Sequence, residues 1–139
     1  MRSHWIKTAA LSFCLVAPHV WAQPSQDATW SLQKPTAGQP AARHESAAAA
    51  VDGKLYLIGG RGERSLDILD LATGRWTTGA KPPVEINHIQ AVVFDKRIYV
   101  IGALNGKFPQ ENVVPHILIY DPAADRWAVA RAGASRSST

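Results

Sequence analysis

The sequence predicts an all-β fold built from two small four-stranded antiparallel sheets, each needing a neighbour on both faces. Three observations carry that reading. Short apolar runs recur between Asp, Gly and Pro turns, and no stretch after residue 22 keeps a helical period. The order of runs and turns occurs twice: Asp52 and Asp95, Tyr56 and Tyr99, and Gly59 and Gly102 each stand 43 residues apart. The second run of each repeat, Leu55-Tyr56-Leu57-Ile58 and Ile98-Tyr99-Val100-Ile101, is apolar at every position, so neither face of its strand is meant for water.

At the N-terminus, Arg2 and Lys7 accompany a mostly apolar stretch over residues 8–20. Val20-Trp21-Ala22 then puts small residues at the two positions a signal peptidase reads. Residues 1–22 are expected to be a secretory signal peptide, giving a secreted or periplasmic protein. The apolar stretch falls short of the roughly 20 residues a spanning helix needs, so no membrane span is expected after cleavage. Cleavage would remove Cys14, the single cysteine of the chain, and with it any disulfide, zinc–thiolate site or cysteine nucleophile. It would also remove Arg2 and Lys7 and no acidic residue, so the formal charge of +4 overstates the mature chain's basicity. Nothing clusters basic residues as nucleic-acid binding requires.

Residues 23–40 are polar and proline-bearing, a loop around one short expected strand, Thr29-Trp30-Ser31-Leu32. Residues 47–51 form a small-residue strand ended by Asp52-Gly53-Lys54, a hairpin signal because Asp and Gly tolerate positive φ. Leu55 to Ile58 follow, stopped by Gly59-Gly60. A third strand over 66–69 ends in the turn Asp70-Leu71-Ala72-Thr73-Gly74, and Trp76 opens a fourth. In the second repeat, residues 91–94, the turn Asp95-Lys96 and residues 98–101 match the first hairpin. Residues 117–120, Asp121-Pro122-Ala123-Ala124-Asp125 and Trp127 match the rest. Trp76 and Trp127 are 51 apart rather than 43, so an insertion follows Gly102, expected as a surface loop around residues 107–115. Trp30 stands where an earlier unit would end. The organisation is signal 1–22, loop and leading strand 23–40, repeat one 41–87, repeat two 88–130 and polar tail 131–139.

Four-stranded units of this period, greasy on both sides, stack around an axis as propeller blades. The glycine pair Gly59-Gly60, followed by Leu69-Asp70 and Trp76, resembles a kelch repeat. The second unit keeps Tyr120-Asp121 and Trp127 but has Gly102-Ala103 for the glycine pair. The resemblance implies kelch-type blades, here an incomplete propeller, with Trp76 and Trp127 buried between adjacent sheets. The kelch scaffold carries sugar oxidases, a sialic acid epimerase and many pure binding modules, so fold alone does not give function. A copper-radical oxidase of the kelch type would need a cysteine that the mature chain lacks.

Topology sorts the polar residues. The start of a blade's first strand and the end of its second lie at one edge, which brings Arg43, His44 and Glu45 toward Arg61, Glu63 and Arg64. The second unit adds Asn87, His88, Asn105 and Lys107. Arg43, His44, Arg61, Arg64, Asn87 and His88 are the candidate ligand-binding residues, suited to sugar hydroxyls, a carboxylate or a partner's acidic side chains. No catalytic residue is assigned, because no spacing pairs Glu45, Glu63 or Glu85. No metal site is expected from His44, His88 and His116, which lack motif spacing, and no cofactor is expected. Asp52, Asp70, Asp95, Asp121 and Asp125 are expected to cap turns.

Two blades leave two apolar sheet faces uncovered, which predicts association through them. The chain is therefore expected to be a truncated form of a longer exported propeller, with three copies supplying six blades as the alternative. The expected function is a non-catalytic binding module for a protein or glycan. The alternative is part of a periplasmic sugar-active enzyme such as a sialic acid epimerase, which the kelch resemblance, export and lack of disulfides would suit.

Overall fold

The computed structural model describes residues 31–131. The expected signal peptide, Thr29 and Trp30 of the leading strand, and residues 132–139 of the tail lie outside the described residues. Ser31 and Leu32 belong to no strand. The chain from Gln33 onward forms one compact unit.

Strands β1 (Ser46–Val51), β2 (Lys54–Gly59), β3 (Leu66–Asp70) and β4 (Arg75–Gly79) form the first antiparallel sheet in sequence order. The second contains β5 (Ala91–Phe94), β6 (Arg97–Val100), β9 (His116–Asp121) and β10 (Arg126–Arg131). Between β6 and β9, strands β7 (Ala103–Lys107) and β8 (Gln110–Val114) make a separate two-stranded hairpin. The expected insertion loop is thus corrected to an ordered hairpin. Its two five-residue arms pair in full register, and Ala103 and Val114 enter the common core. Among the described residues no helix forms, and none is long and apolar enough to cross a membrane.

The turns follow from the residues that make them. Asp52 and Gly53 take φ of 45° and 74°, and Asp95 and Lys96 take 46° and 58°, the paired positive values of a type I′ hairpin. Asp70 Oδ1 accepts from the amides of Ala72 and Thr73 at 3.1 and 2.9 Å, and Asp121 Oδ1 does the same for Ala123 and Ala124 at 3.0 and 3.2 Å. Asp125 departs from the expected capping role. Its Oδ1 accepts from Ala80 N at 2.7 Å and from the Tyr120 hydroxyl at 2.7 Å, so it ties the end of the first blade to the second.

The core is the seam between blades. Register puts Ala49, Val51, Tyr56, Ile58, Leu66 and Ile68 on one face of the first sheet, and Ile98, Val100, Leu118, Tyr120 and Trp127 on the facing side of the second. Tyr56 meets Tyr120 edge-on at 5.8 Å, Tyr120 leans on Trp127 at 5.2 Å, and Trp127 Nε1 donates to Ala80 O at 3.0 Å. Glycines allow the close approach. A Cβ on Gly79 would lie 2.7 Å from Ile68 Cδ1 and 3.2 Å from the Tyr120 hydroxyl, and one on Gly59 would lie 2.5 Å from Ile86 O. Trp127 fills its expected place between sheets. Trp76 does not: it sits half-buried on the first blade's outer face, where its amide donates to Ala37 O at 2.9 Å as residues 36–37 run along β4.

The outer faces stay apolar. Ala48, Ala50, Leu55, Leu57, Leu69 and Trp76 line one; Val92, Phe94, Tyr99, Ile117 and Ile119 line the other, with Ile101 beyond the end of β6.

Burial, reinforced by the adjacent Asp125 carboxylate, pushes the Tyr120 phenol well above the usual tyrosine range. Its stabilising contribution is complete below about pH 10, the unfolded value, and is lost as pH rises through the higher folded value. Tyr120→Phe is expected to cost about 1–2 kcal/mol in urea unfolding at neutral pH and to flatten the stability loss above pH 10 relative to the parent chain.

Candidate functional site

At one end of the blades, four side chains from four separate segments of the chain converge. Glu45 precedes β1, Arg61 follows β2, His88 precedes β5, and Glu111 lies in β8. The linker from β4 to β5 fixes their spacing. Gly60 N donates to Ile86 O at 2.9 Å, His88 N donates to Glu45 O at 3.0 Å, and Asn87 exchanges backbone bonds with Leu104 of β7 at 2.8 and 2.9 Å. Glu45 and His88 both hold positive φ, 57° and 49°, which few non-glycine residues adopt. Such conformations persist only where surrounding contacts impose them, and they concentrate at sites that act.

Arg61 is the centre of the group. Its Nη2 donates to Glu111 Oε1 at 2.5 Å, and its Nε lies 2.6 Å from Glu45 Oε2. The second contact is an ion pair off the line of an aligned hydrogen bond, since that oxygen is buried without a hydrogen-bond partner. His88 Nε2 stands 3.4 Å from Glu45 Oε2, 3.3 Å from Glu111 Oε1 and 3.3 Å from Arg61 Nη2. The imidazole can therefore accept from Arg61 when neutral, or donate to either carboxylate when protonated. Burial pushes the Glu45 carboxyl up, but its contact with Arg61 and the nearby positive charge outweigh that and hold it below the usual carboxylate value.

The six sequence candidates separate on geometry. Arg61 and His88 meet in this group, and His88 keeps 42 % of its side chain exposed. His44 is adjacent and open to solvent, its Nδ1 3.5 Å from Glu45 Oε1. Arg64 donates through Nε to Arg61 O at 2.8 Å and braces the turn. Asn87 is fully buried and pins the linker to the hairpin. Arg43 is not available to a ligand: its side chain is 5 % exposed, paired with Asp67, and donates to Gly59 O at 2.9 Å. Glu111 escaped sequence reasoning because it lies in the insertion. The signal that could have found it is the pair of five-residue arms flanking Phe108-Pro109, a hairpin that returns to the edge holding residues 45 and 88.

The structure also assembles what spacing alone did not suggest. Glu45 joins Glu111, and with His88 they place three donor atoms within 4.8 Å of one another. The Arg61 guanidinium already bridges the two carboxylates, so the set is a mixed-charge network rather than a coordination sphere. His116 takes no part in it. At the opposite end, a cleft of about 470 Å³ is walled by turn residues including Asp52, Lys54, Asp95 and Lys96. It brings together no comparable network; Lys96 and Asp52 lie 3.4 Å apart there, both exposed.

Residues 42–83 match the family model described as the Kelch motif. The chain is 32 % identical over 97 residues to Kelch-like protein terF of Aspergillus terreus, covering 63 % of this chain and 21 % of that protein. It is 30 % identical over 104 residues to Kelch-like protein 35 of Mus musculus, covering 71 % and 16 %. The solved structure of YjhT superposes with a TM-score of 0.57 at 21 % identity, over 66 % of this chain and 28 % of that one. The chain thus spans about a fifth or less of the curated relatives it matches.

Arg61→Gln is expected to move the Glu45 carboxyl back up toward the usual glutamate range, read by NMR titration of its side-chain carbon. A depressed carboxyl contributes stability above the unfolded value that is lost as pH falls through the folded one, so the variant also shows a weaker acid dependence of unfolding.

Proposed function

The chain is built of kelch repeats, and from that premise we propose that it is a non-catalytic recognition module, exported from the cytoplasm, that binds a protein partner at the blade end carrying Glu45, Arg61, His88 and Glu111. The observation that carries the reading is the mixed-charge network around Arg61, part-buried yet reachable through His88 and His44. Both signs of charge stand within hydrogen-bond reach, so an incoming carboxylate can replace Glu45 or Glu111 on Arg61, and an incoming ammonium or guanidinium can take the released glutamate. Polypeptide side chains supply both. A rigid scaffold with polar groups on the joining segments is the arrangement recognition sites favour. Export is supported by the n-region, apolar stretch and cleavage signature of residues 1–22.

Two measurements test this. Peptides selected on the immobilised chain from a displayed library are expected to lose roughly 10-fold or more in affinity to Arg61→Ala, with the fold retained by circular dichroism. Selective retention on a glycan array instead, or interconversion of N-acetylneuraminate anomers followed by proton NMR, would replace the protein-binding reading with a sugar-directed one. Secreted or periplasmic material is expected to begin at Gln23 on N-terminal sequencing; protein retaining residues 1–22 in the cytoplasm contradicts export.

A further inference from the structure

The two outer sheet faces are not generic apolar surface. The repeat makes each of them a second copy of a surface that already mates within the chain. Leu55, Leu57, Leu69 and Trp76, on the first blade's outer face, correspond in the repeat to Ile98, Val100, Tyr120 and Trp127, which form the second blade's side of the internal seam. Tyr56, Ile58, Leu66 and Ile68 form the first blade's side of that seam. They correspond to Tyr99, Ile101, Ile117 and Ile119 on the second blade's outer face. One outer face is therefore shaped to receive the other.

Volumes compensate across the match. Inside the chain a Cβ on Gly79 would be crowded, 3.2 Å from the Tyr120 hydroxyl and 2.7 Å from Ile68 Cδ1. The corresponding pair at an outer seam is Ala130 against Leu69: the glycine is replaced by an alanine, one methyl larger, and the tyrosine by a smaller leucine that carries neither ring nor hydroxyl. The second blade also keeps an open seat. Gly59 is crowded by Ile86 and Ile89 of the linker that follows, whereas a Cβ on its counterpart Gly102 would meet nothing within 4 Å. Ile101, next to that seat, is 56 % exposed, and Phe94, at the turn end of the same face, is 70 % exposed.

We propose that a second copy of this chain docks head to tail, the outer face of its first blade on the outer face of the second blade here, repeating the internal seam. Such a heterologous contact closes into a ring if the rotation per copy allows it. Three copies give six blades, within the four to eight typical of propellers. Strand spacing makes one seam roughly 15 by 17 Å, a small footprint beside the roughly 800 Å² per partner of a stable interface. One seam alone is weak; three seams closing together hold the ring.

Sedimentation of the purified chain over a range of concentrations is the test. Monomer and trimer are expected with little dimer between them. Ala48→Glu with Ala50→Glu, and separately Phe94→Glu with Ile101→Glu, change exposed residues of one face each and are expected to give monomers with unchanged circular dichroism. Mixing these two variants at high concentration is expected to yield a one-to-one pair, because each retains the face the other has lost. A parent chain that stays monomeric, stops at a dimer or grows without limit overturns the ring. Folded variants that still form trimers, or that fail to pair when mixed, overturn the head-to-tail seam. Should a variant unfold, dilution of the parent trimer straight to monomer still separates a closed ring from open-ended association.

Discussion

A sheet with apolar side chains on both faces cannot rest with one of them in water, and this demand organises the molecule. Where it is met, between the two blades, the contact is dense enough to crowd any side chain at Gly79, to exclude one at Gly59 and to bring Tyr56, Tyr120 and Trp127 together in sequence. Polar groups caught in the contact are answered within it. Trp127 finds the Ala80 carbonyl, while the Tyr120 hydroxyl and the Ala80 amide both find Asp125. A buried phenol left without that carboxylate would cost more than the bond's net contribution, because its desolvation would go uncompensated. The single strut does two jobs at the first blade's exit.

The same seam builds the polar site. The linker that must cross from β4 to β5 is held by Gly60 at Ile86 and by Leu104 at Asn87, which leaves His88 no freedom over where it emerges. Glu45 is fixed by the amide of His88, so the starts of the two inner strands are tied to one another. Positive φ at both residues is the local cost of that tie. Arg61 and Glu111 then arrive from the segments joining second and third strands, one a short turn and the other a hairpin. The network is a consequence of how the blades meet, which is why no local motif announces it.

Periodicity and turn chemistry made the strands legible. β1 to β6, β9 and β10 follow from the apolar runs and from the turns between them, where Asp52-Gly53 and Asp95-Lys96 supply positive φ and the Asp70 and Asp121 carboxylates hold turn amides. The hairpin β7–β8 was not legible because its arms mix Asn, Gly, Lys, Gln and Glu with apolar residues, and it is held by the burial of Ala103 and Val114 and by the backbone bonds of Leu104 to Asn87. The site was half legible. Edge topology brought Arg61 and His88 to one end, but it could not tell an arginine shared between two part-buried glutamates from one locked behind the sheet. Trp76 shows the same limit. It holds the same repeat position as Trp127, after the same Asp-started turn and an Arg, and the presence of a neighbouring sheet distinguishes the two.

Arg43 and Arg61 make that distinction physical. Both are arginines at the same end of the first blade, and both are paired with a carboxylate. Arg43 also donates to the Gly59 carbonyl and is walled in, so releasing it would strand a charge, a carboxylate and a strand-end carbonyl together. That pair locks the segment entering β1 to β3. Arg61 holds two carboxylates that belong to different elements, with an imidazole in reach of all three groups. Exchanging one of its partners for a ligand's carboxylate keeps every charge compensated, provided the displaced glutamate meets a cation on the same ligand. A surface that can trade partners without leaving a charge uncompensated selects for ligands carrying both signs at short spacing, and discriminates against those carrying one.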